Sequence, residues 1–276
     1  MTLHLGWSDS DLATLPWARF WNPQLAPLPE RARRALERGQ LAPPLLASLA
    51  EAGPGLMGGG EGLEDGYALM PDGGMRVAIL TDMPGVTPAM IDWWFGWHGD
   101  QAAKYKLWHP QAHVHVAWQD QPPAGSEGRA RYVGQTSIVD EYIGSRLLKG
   151  AIRFVDPASL GYTDARLADP ERATIVCART GLAGGPLNIG WLAHSVVRTG
   201  SGSVMRSRFW FGGAHIASRG GPGGRMAQVM ARRFLRFSEN EARALLTHCA
   251  EEMQHLASFL PALHASVRQE TPSATA

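Results

Sequence analysis

The chain has 276 residues, 45% of them hydrophobic and 18% charged, enough for one large domain or two small ones with a real core. Its 26 Lys and Arg almost balance 25 Asp and Glu, and a net charge of +1 leaves no overall electrostatic footprint for nucleic acid or an anionic membrane. Two cysteines, Cys177 and Cys249, are too few for a disulfide scaffold and form no CxxC metal clip.

Met1–Leu12 carries Asp9 and Asp11 and lacks the basic-then-apolar pattern of a leader peptide. Thr180–Val197 is the longest stretch without Lys, Arg, Asp or Glu, but it holds Gly, Pro, Asn and His and does not read as a membrane span. A soluble, cytoplasmic protein is the expectation, with no nucleic-acid and no membrane partner.

Residues 1–60 read as a helical, loop-rich region, with Pro29–Arg38 a short charged helix and 52–60 (AGPGLMGGG) a linker. Met75–Thr81 reads as a strand. Thr87 is a good N-cap, and Pro88 at the first helical position starts a helix to His98, followed by a second over Ala102–Trp108. Strands are expected over His113–Trp118, Arg131–Tyr142, Ala151–Val155, Ala173–Arg179, Ile189–Arg198 and Ser203–Phe211, with Gly220–Gly224 a flexible break. Ser238 and Glu241 form a capping box for a long helix whose stripe is Leu245, Cys249, Met253, Leu256, Leu260 and Leu263. A polar tail follows from 269.

A curved antiparallel sheet must cover its apolar concave face, and a long terminal helix laid across it does so while leaving a cavity. The expected fold is therefore α+β, a helix-grip (START/Bet v I-like) domain over 61–268, with a closed barrel as the alternative.

Gly53-Pro-Gly-Leu-Met-Gly58 matches GxGxxG, but no strand precedes it and no helix is expected to open on it, so it reads as linker. There is no GxSxG, HExxH or P-loop. What remains is histidine. His98, His109, His113 and His115 cluster in sequence, and His194 interrupts an apolar strand. His248 and His255 lie seven apart on the terminal helix with Glu252 between them on the same side, and Glu141 ends an apolar strand. Three His/Glu ligands with an open position is the catalytic zinc pattern. Each residue also has a structural reading, since His113 and His115, two apart, would share the face of a solvated edge strand.

Thr81–His98 (TDMPGVTPAMIDWWFGWH), followed by Tyr105–His113 (YKLWHPQAH), resembles the 2,4-diacetylphloroglucinol hydrolase family, which includes phloretin hydrolase. Thr136–Gly144 (TSIVDEYIG) and Arg206–Trp210 (RSRFW) fit as well, and the similarity runs from about Tyr67 to Leu263. The resemblance implies zinc-dependent hydrolysis of the C–C bond between an acyl group and a polyphenol ring, and a homodimer paired through the N-terminal region. It implies His113, Glu141 and His248 as zinc ligands, with His109 the alternative to His113 and His255 to His248. It implies His194 in proton transfer or on the metal, and Tyr105 at the substrate. The family's second substrate Tyr falls on Phe209, and its second Glu on Ser145. The Trp-rich helix would supply core packing or an aromatic wall, with Trp94 the expected substrate contact. The competing function is a non-catalytic helix-grip carrier of an apolar ligand.

Overall fold

The computed structural model describes residues 4–58 and 63–270. Gly59 and Gly60 of the expected linker, the boundary at 60/61 and the tail beyond 270 lie outside the described residues.

Three short helices come first: α1 (Asp9–Thr14), α2 (Glu30–Arg38) and α3 (Ala52–Leu56). Strands β1 (Gly66–Leu69) and β2 (Met75–Pro84) lead to α4 (Pro88–Trp97) and α5 (Ala102–Trp108). Then come β3 (His113–Trp118), α6 (Arg129–Tyr132), β4 (Thr136–Ile143) and β5 (Arg146–Val155). The sheet continues with β6 (Ala173–Leu182), β7 (Leu187–Thr199), β8 (Gly202–Phe211) and the two-residue β9 (Ala217–Ser218). Helices α7 (Gly224–Phe234) and α8 (Glu239–Glu270) close the chain.

All strand pairs are antiparallel, in the order β1-β2-β8-β7-β6-β5-β4-β3, with β9 on β7. Helix α8 packs against β2, β1 and β4, and its stripe Leu245, Cys249, Met253, Leu256, Leu260 and Leu263 is buried. Each fully buried Leu there contributes about 1.5–3 kcal/mol. This is the helix-grip arrangement. The helix runs through Pro261 and past Leu263, and the Ser238–Glu241 capping box forms at its start.

The sheet is buried on both faces, which explains the continuous apolar runs of β2 and β6. Val176, Ala178, Leu192, Val196, Met205 and Phe209 share the main core with α8. On the opposite face, Ile175, Cys177, Ala193 and Trp210 form a second core, covered by Ala52, Leu56, Met57 and Tyr162. The expected linker is therefore corrected in part. Residues 52–56 are helix α3, because Ala52 and Leu56 are buried against the back of the sheet.

Residues 131–142 were expected as one strand. The chain instead makes the short helix α6, with Tyr132 buried in the core, and enters β4 only at Thr136. Gly134 between them has φ +85°, outside the extended region. The expected break at 220–224 leads directly into α7, β5 begins at Arg146 rather than Ala151, and the sheet gains the unpredicted edge strand β1. The N-terminal residues fold back on α4 and α5: the Trp7 indole donates to the Ala103 carbonyl (2.9 Å), Lys106 Nζ donates to Gly6 (2.8 Å), and Trp17 meets Trp97 edge-on.

Candidate metal centre and active site

Helix α5 ends at Trp108, and the His113 amide donates back to the His109 carbonyl (2.9 Å) as β3 begins. A register shift then falls between His113, opposite Glu141, and His115, opposite Asp140. This bulge breaks the two-residue alternation. His113 becomes fully buried and His115 stays half-exposed, so the expected shared face does not form.

His113 Nδ1 lies 3.0 Å from the Tyr105 backbone carbonyl. That contact requires a proton on Nδ1, so the Nε2 lone pair points the other way. The Tyr105 ring stacks on the imidazole at 3.7 Å and 4°, fixing its plane. From β4, Glu141 Oε2 reaches to 3.7 Å from His113 Nε2, and it accepts a hydrogen bond from the Tyr105 hydroxyl. Helix α8 supplies two groups one turn apart. His248 Nε2 lies 4.0 Å from Glu141 Oε2, while Glu252 Oε2 lies 3.5 Å from His113 Nε2 and 3.7 Å from His248 Nε2.

These four separations are too long for good N–H···O hydrogen bonds, and His113 Nε2 is buried with no partner. They are close to the spacing of about 3.4 Å between ligand atoms of a tetrahedral ion with bonds near 2.1 Å. Among the described residues, His113, His248 and Glu252 form the one group that could hold a metal ion. Glu141 stands beside it, within 4.0 Å of both histidines.

The electrostatics agree with that use. Burial, then the neighbouring His248 and His109, push the His113 pKa well below the usual imidazole range. Burial takes His248 down to about 3. Both rings are neutral at pH 7, the form that binds a metal. Burial, reinforced by Glu141, raises Glu252 well above the usual carboxylate range, and burial raises Glu141 against the Tyr105 hydrogen bond. Burial thus disfavours charge on both carboxyl groups, which converge with two neutral imidazoles where no internal cation faces them, and a bound cation would favour their ionised form. A divalent ion fits this donor set.

The other expected residues take different places. His109 is outside the group; its Nε2 faces Glu251 at 3.3 Å and its ring stacks on His248 at 4.8 Å. His255 sits edge-on to Phe259, with its buried Nε2 unpartnered. His194 is not brought to the metal group. Its Nδ1 meets Ser207 Oγ at 2.8 Å, and its ring lies 5.7 Å from Phe209 and 6.2 Å from Phe95. Burial lowers its pKa to about 3. Trp94 is fully buried, stacked on His98 and edge-on to Trp108 and Phe259, with its indole N–H unpartnered. Ser145 is exposed in the β4–β5 turn, and the second carboxylate of the cluster is Glu252. The signal for Glu252 was its spacing, four residues after His248 on one helix face.

The sequence matches the DAPG hydrolase PhiG domain over residues 46–265. The chain belongs to this family. It is 31% identical to a 2,4-diacetylphloroglucinol hydrolase of a Pseudomonas species, with 90% of this chain and 87% of that protein covered. It is 27% identical to the phloretin hydrolase of Eubacterium ramulus, over 91% of this chain and 90% of that protein. Among solved structures, Ara h 8.0201 aligns with 69% of this chain and 99% of its own length, at 9% identity and a TM-score of 0.39.

Proposed function

We propose that the protein is a zinc-dependent hydrolase cleaving the C–C bond between an acyl group and a polyhydroxylated aromatic ring, on acylphloroglucinol-type substrates. The observation that carries this reading is the buried, unpartnered His113 Nε2, facing Glu141 and Glu252 with His248 alongside. The names of the relatives supply the substrate class. His113, His248, Glu252 and Glu141 would hold the ion. When bound, Zn²⁺ supplies Lewis acidity and a water acidic enough to ionise near neutral pH.

The remaining chemistry falls to the chain. A trihydroxylated ring leaves as a carbon acid, because its keto tautomer accepts a proton on the ring carbon that carried the acyl group. The overall balance is ketone plus water giving carboxylic acid and the free ring. Tyr105, kept protonated by burial and by Glu141, donates its proton to Glu141 and would accept a hydrogen bond from a ring hydroxyl on its oxygen. His194, neutral and held through Nδ1 by Ser207, is the group to pass a proton through Nε2 to the ring carbon. Phe209 and Trp94, both in the main core, would supply apolar surface to the substrate ring. Phe209 leaves one fewer hydroxyl at the ring than a tyrosine would. Residues 1–60 would pair two subunits, a reading that light scattering on the full chain tests.

The test of function is a panel of acylphloroglucinols and related aryl ketones with the zinc-loaded protein, scored by release of free carboxylic acid. Release that stops with chelator is expected. A metal-free protein that binds the ketones without cleaving them would establish a carrier instead.

A further inference from the structure

Helix α7 carries its apolar side chains outward. Met226, Val229, Met230 and Phe234 are 67%, 61%, 49% and 63% exposed, and their spacing of three, four and eight places them on one face. The opposite face holds the helix to the protein. Gln228 Oε1 accepts from the Ser218 amide (2.9 Å), Arg232 donates to the Ile216 and Ala214 carbonyls, and Gly224 packs against Ser218 where a Cβ would clash. The outward stripe is thus a property of the docked helix. A soluble protein rarely leaves four large apolar residues together without a use for them.

Charge narrows the occupant. From Gly212 to Ser238 there is no Asp or Glu, but there are Arg219, Arg225, Arg232, Arg233 and Arg236. The near-neutral balance of the whole chain hides this basic block. Arg225 and Arg233 are exposed beside the apolar stripe, and an open concavity of about 530 Å³ at the start of the helix is lined by Arg225, Met226, Gln228 and Ser218. A second copy fits poorly. The face of an eleven-residue helix covers about 16 Å by 10 Å, far short of the roughly 800 Å² per partner in a stable interface. A twofold pairing would also set arginines against arginines.

We infer that α7 is an interfacial helix that seats the protein on an anionic lipid surface, its apolar face in the headgroup boundary and its arginines on the phosphates. This differs from spanning a bilayer: among the described residues, no helix is long and apolar enough to cross one. The surface is separate from the His–Glu cluster and does not depend on the reading of that site.

The test is co-sedimentation of the full chain with phosphatidylcholine vesicles containing about 30% phosphatidylglycerol, compared with phosphatidylcholine alone. Binding to the anionic vesicles alone is expected, and raising the salt to about 0.5 M should remove most of it. Arg225→Gln and Arg233→Gln should each weaken it about fivefold. Met230→Ser with Phe234→Ser should abolish it while leaving metal content and far-UV circular dichroism unchanged. Failure of the wild-type chain to bind anionic vesicles would overturn the proposal. So would unchanged binding by the double serine variant, or light scattering showing a dimer that this variant dissociates, since a second copy would then cover the face.

Discussion

Two buried polar clusters share one core, and they differ in whether their atoms are satisfied. In the first, Asp92 Oδ1 accepts from the Tyr132 hydroxyl (2.6 Å) and from Thr174 Oγ (2.8 Å). Arg129 donates to Thr174 and lies 3.8 Å from Asp92 Oδ2. Both hydroxyls there have an acceptor, and the result ties α4, α6 and β6 together. In the second, Tyr105 donates to Glu141, but His113 Nε2 is buried with no partner, and the His113, His248, Glu141 and Glu252 atoms face one another at 3.5–4.0 Å, too far for good hydrogen bonds. Buried polarity that is satisfied holds a fold; buried polarity left unsatisfied is tolerated where something else completes it.

The largest expected effect breaks the satisfied cluster. Asp92→Ala strands Tyr132, Thr174 and Arg129 and should destabilise the protein by about 3–5 kcal/mol, read by urea denaturation. Bound metal in the folded fraction should be unaltered. A loss below about 1 kcal/mol would remove the distinction between the clusters. Leu256→Ala, in the helix that carries His248 and Glu252, should cost about 2–5 kcal/mol by leaving a cavity, measured in the same way.

At the unsatisfied cluster, Tyr105→Phe removes a single hydroxyl. It should keep the metal and lower kcat by about a hundredfold, measured by acid release from a substrate that the panel identifies. An unchanged kcat would take Tyr105 out of the chemistry.

The smallest effect is acid sensitivity without metal. His98, His194 and His248 are held by burial at about 4, 3 and 3. The unfolded chain protonates them near pH 6.5, so below that pH it binds more protons and the native state loses stability. The window runs from about 6.5 down to these folded values. The raised pKa values of Glu141, Glu252 and Asp92 act in the opposite sense, losing stability as pH rises above the usual carboxylate range. Because the two sets offset each other, the readout is a difference: in chelated protein His194→Gln should lose less Tm than the wild type between pH 7 and pH 5, and an equal loss would contradict a neutral, buried His194.

Elements with a strong local code were legible in the sequence. The Thr87 cap with Pro88 starts α4, α5 and β3 have the expected bounds, and the seven-residue repeat of apolar positions in α8 marks its buried face. What the sequence hid was set by tertiary contacts. Helix α3 exists because the back of the sheet buries Ala52 and Leu56. Helix α7 has a clear stripe, but the stripe faces solvent, so a search for core positions passes over it. The bulge after His113 has no sequence signature, and without it His113 and His115 appear equivalent. The His and Glu candidates stand out by type and spacing and the resemblance implies a ligand set among them, whereas the division into cluster members and neighbours requires distances. His113 separates from His109, and Glu252 replaces Ser145, only once α8 lies against β3 and β4.

The central claim is that the unsatisfied cluster is a metal centre, and metal content tests it most directly. The full chain, purified and dialysed against trace zinc, should carry about one equivalent per subunit by elemental analysis. His113→Ala and His248→Ala should carry none, although both fold, as judged by circular dichroism. A wild-type protein that holds no metal, or histidine variants that both keep a full equivalent, would contradict the account.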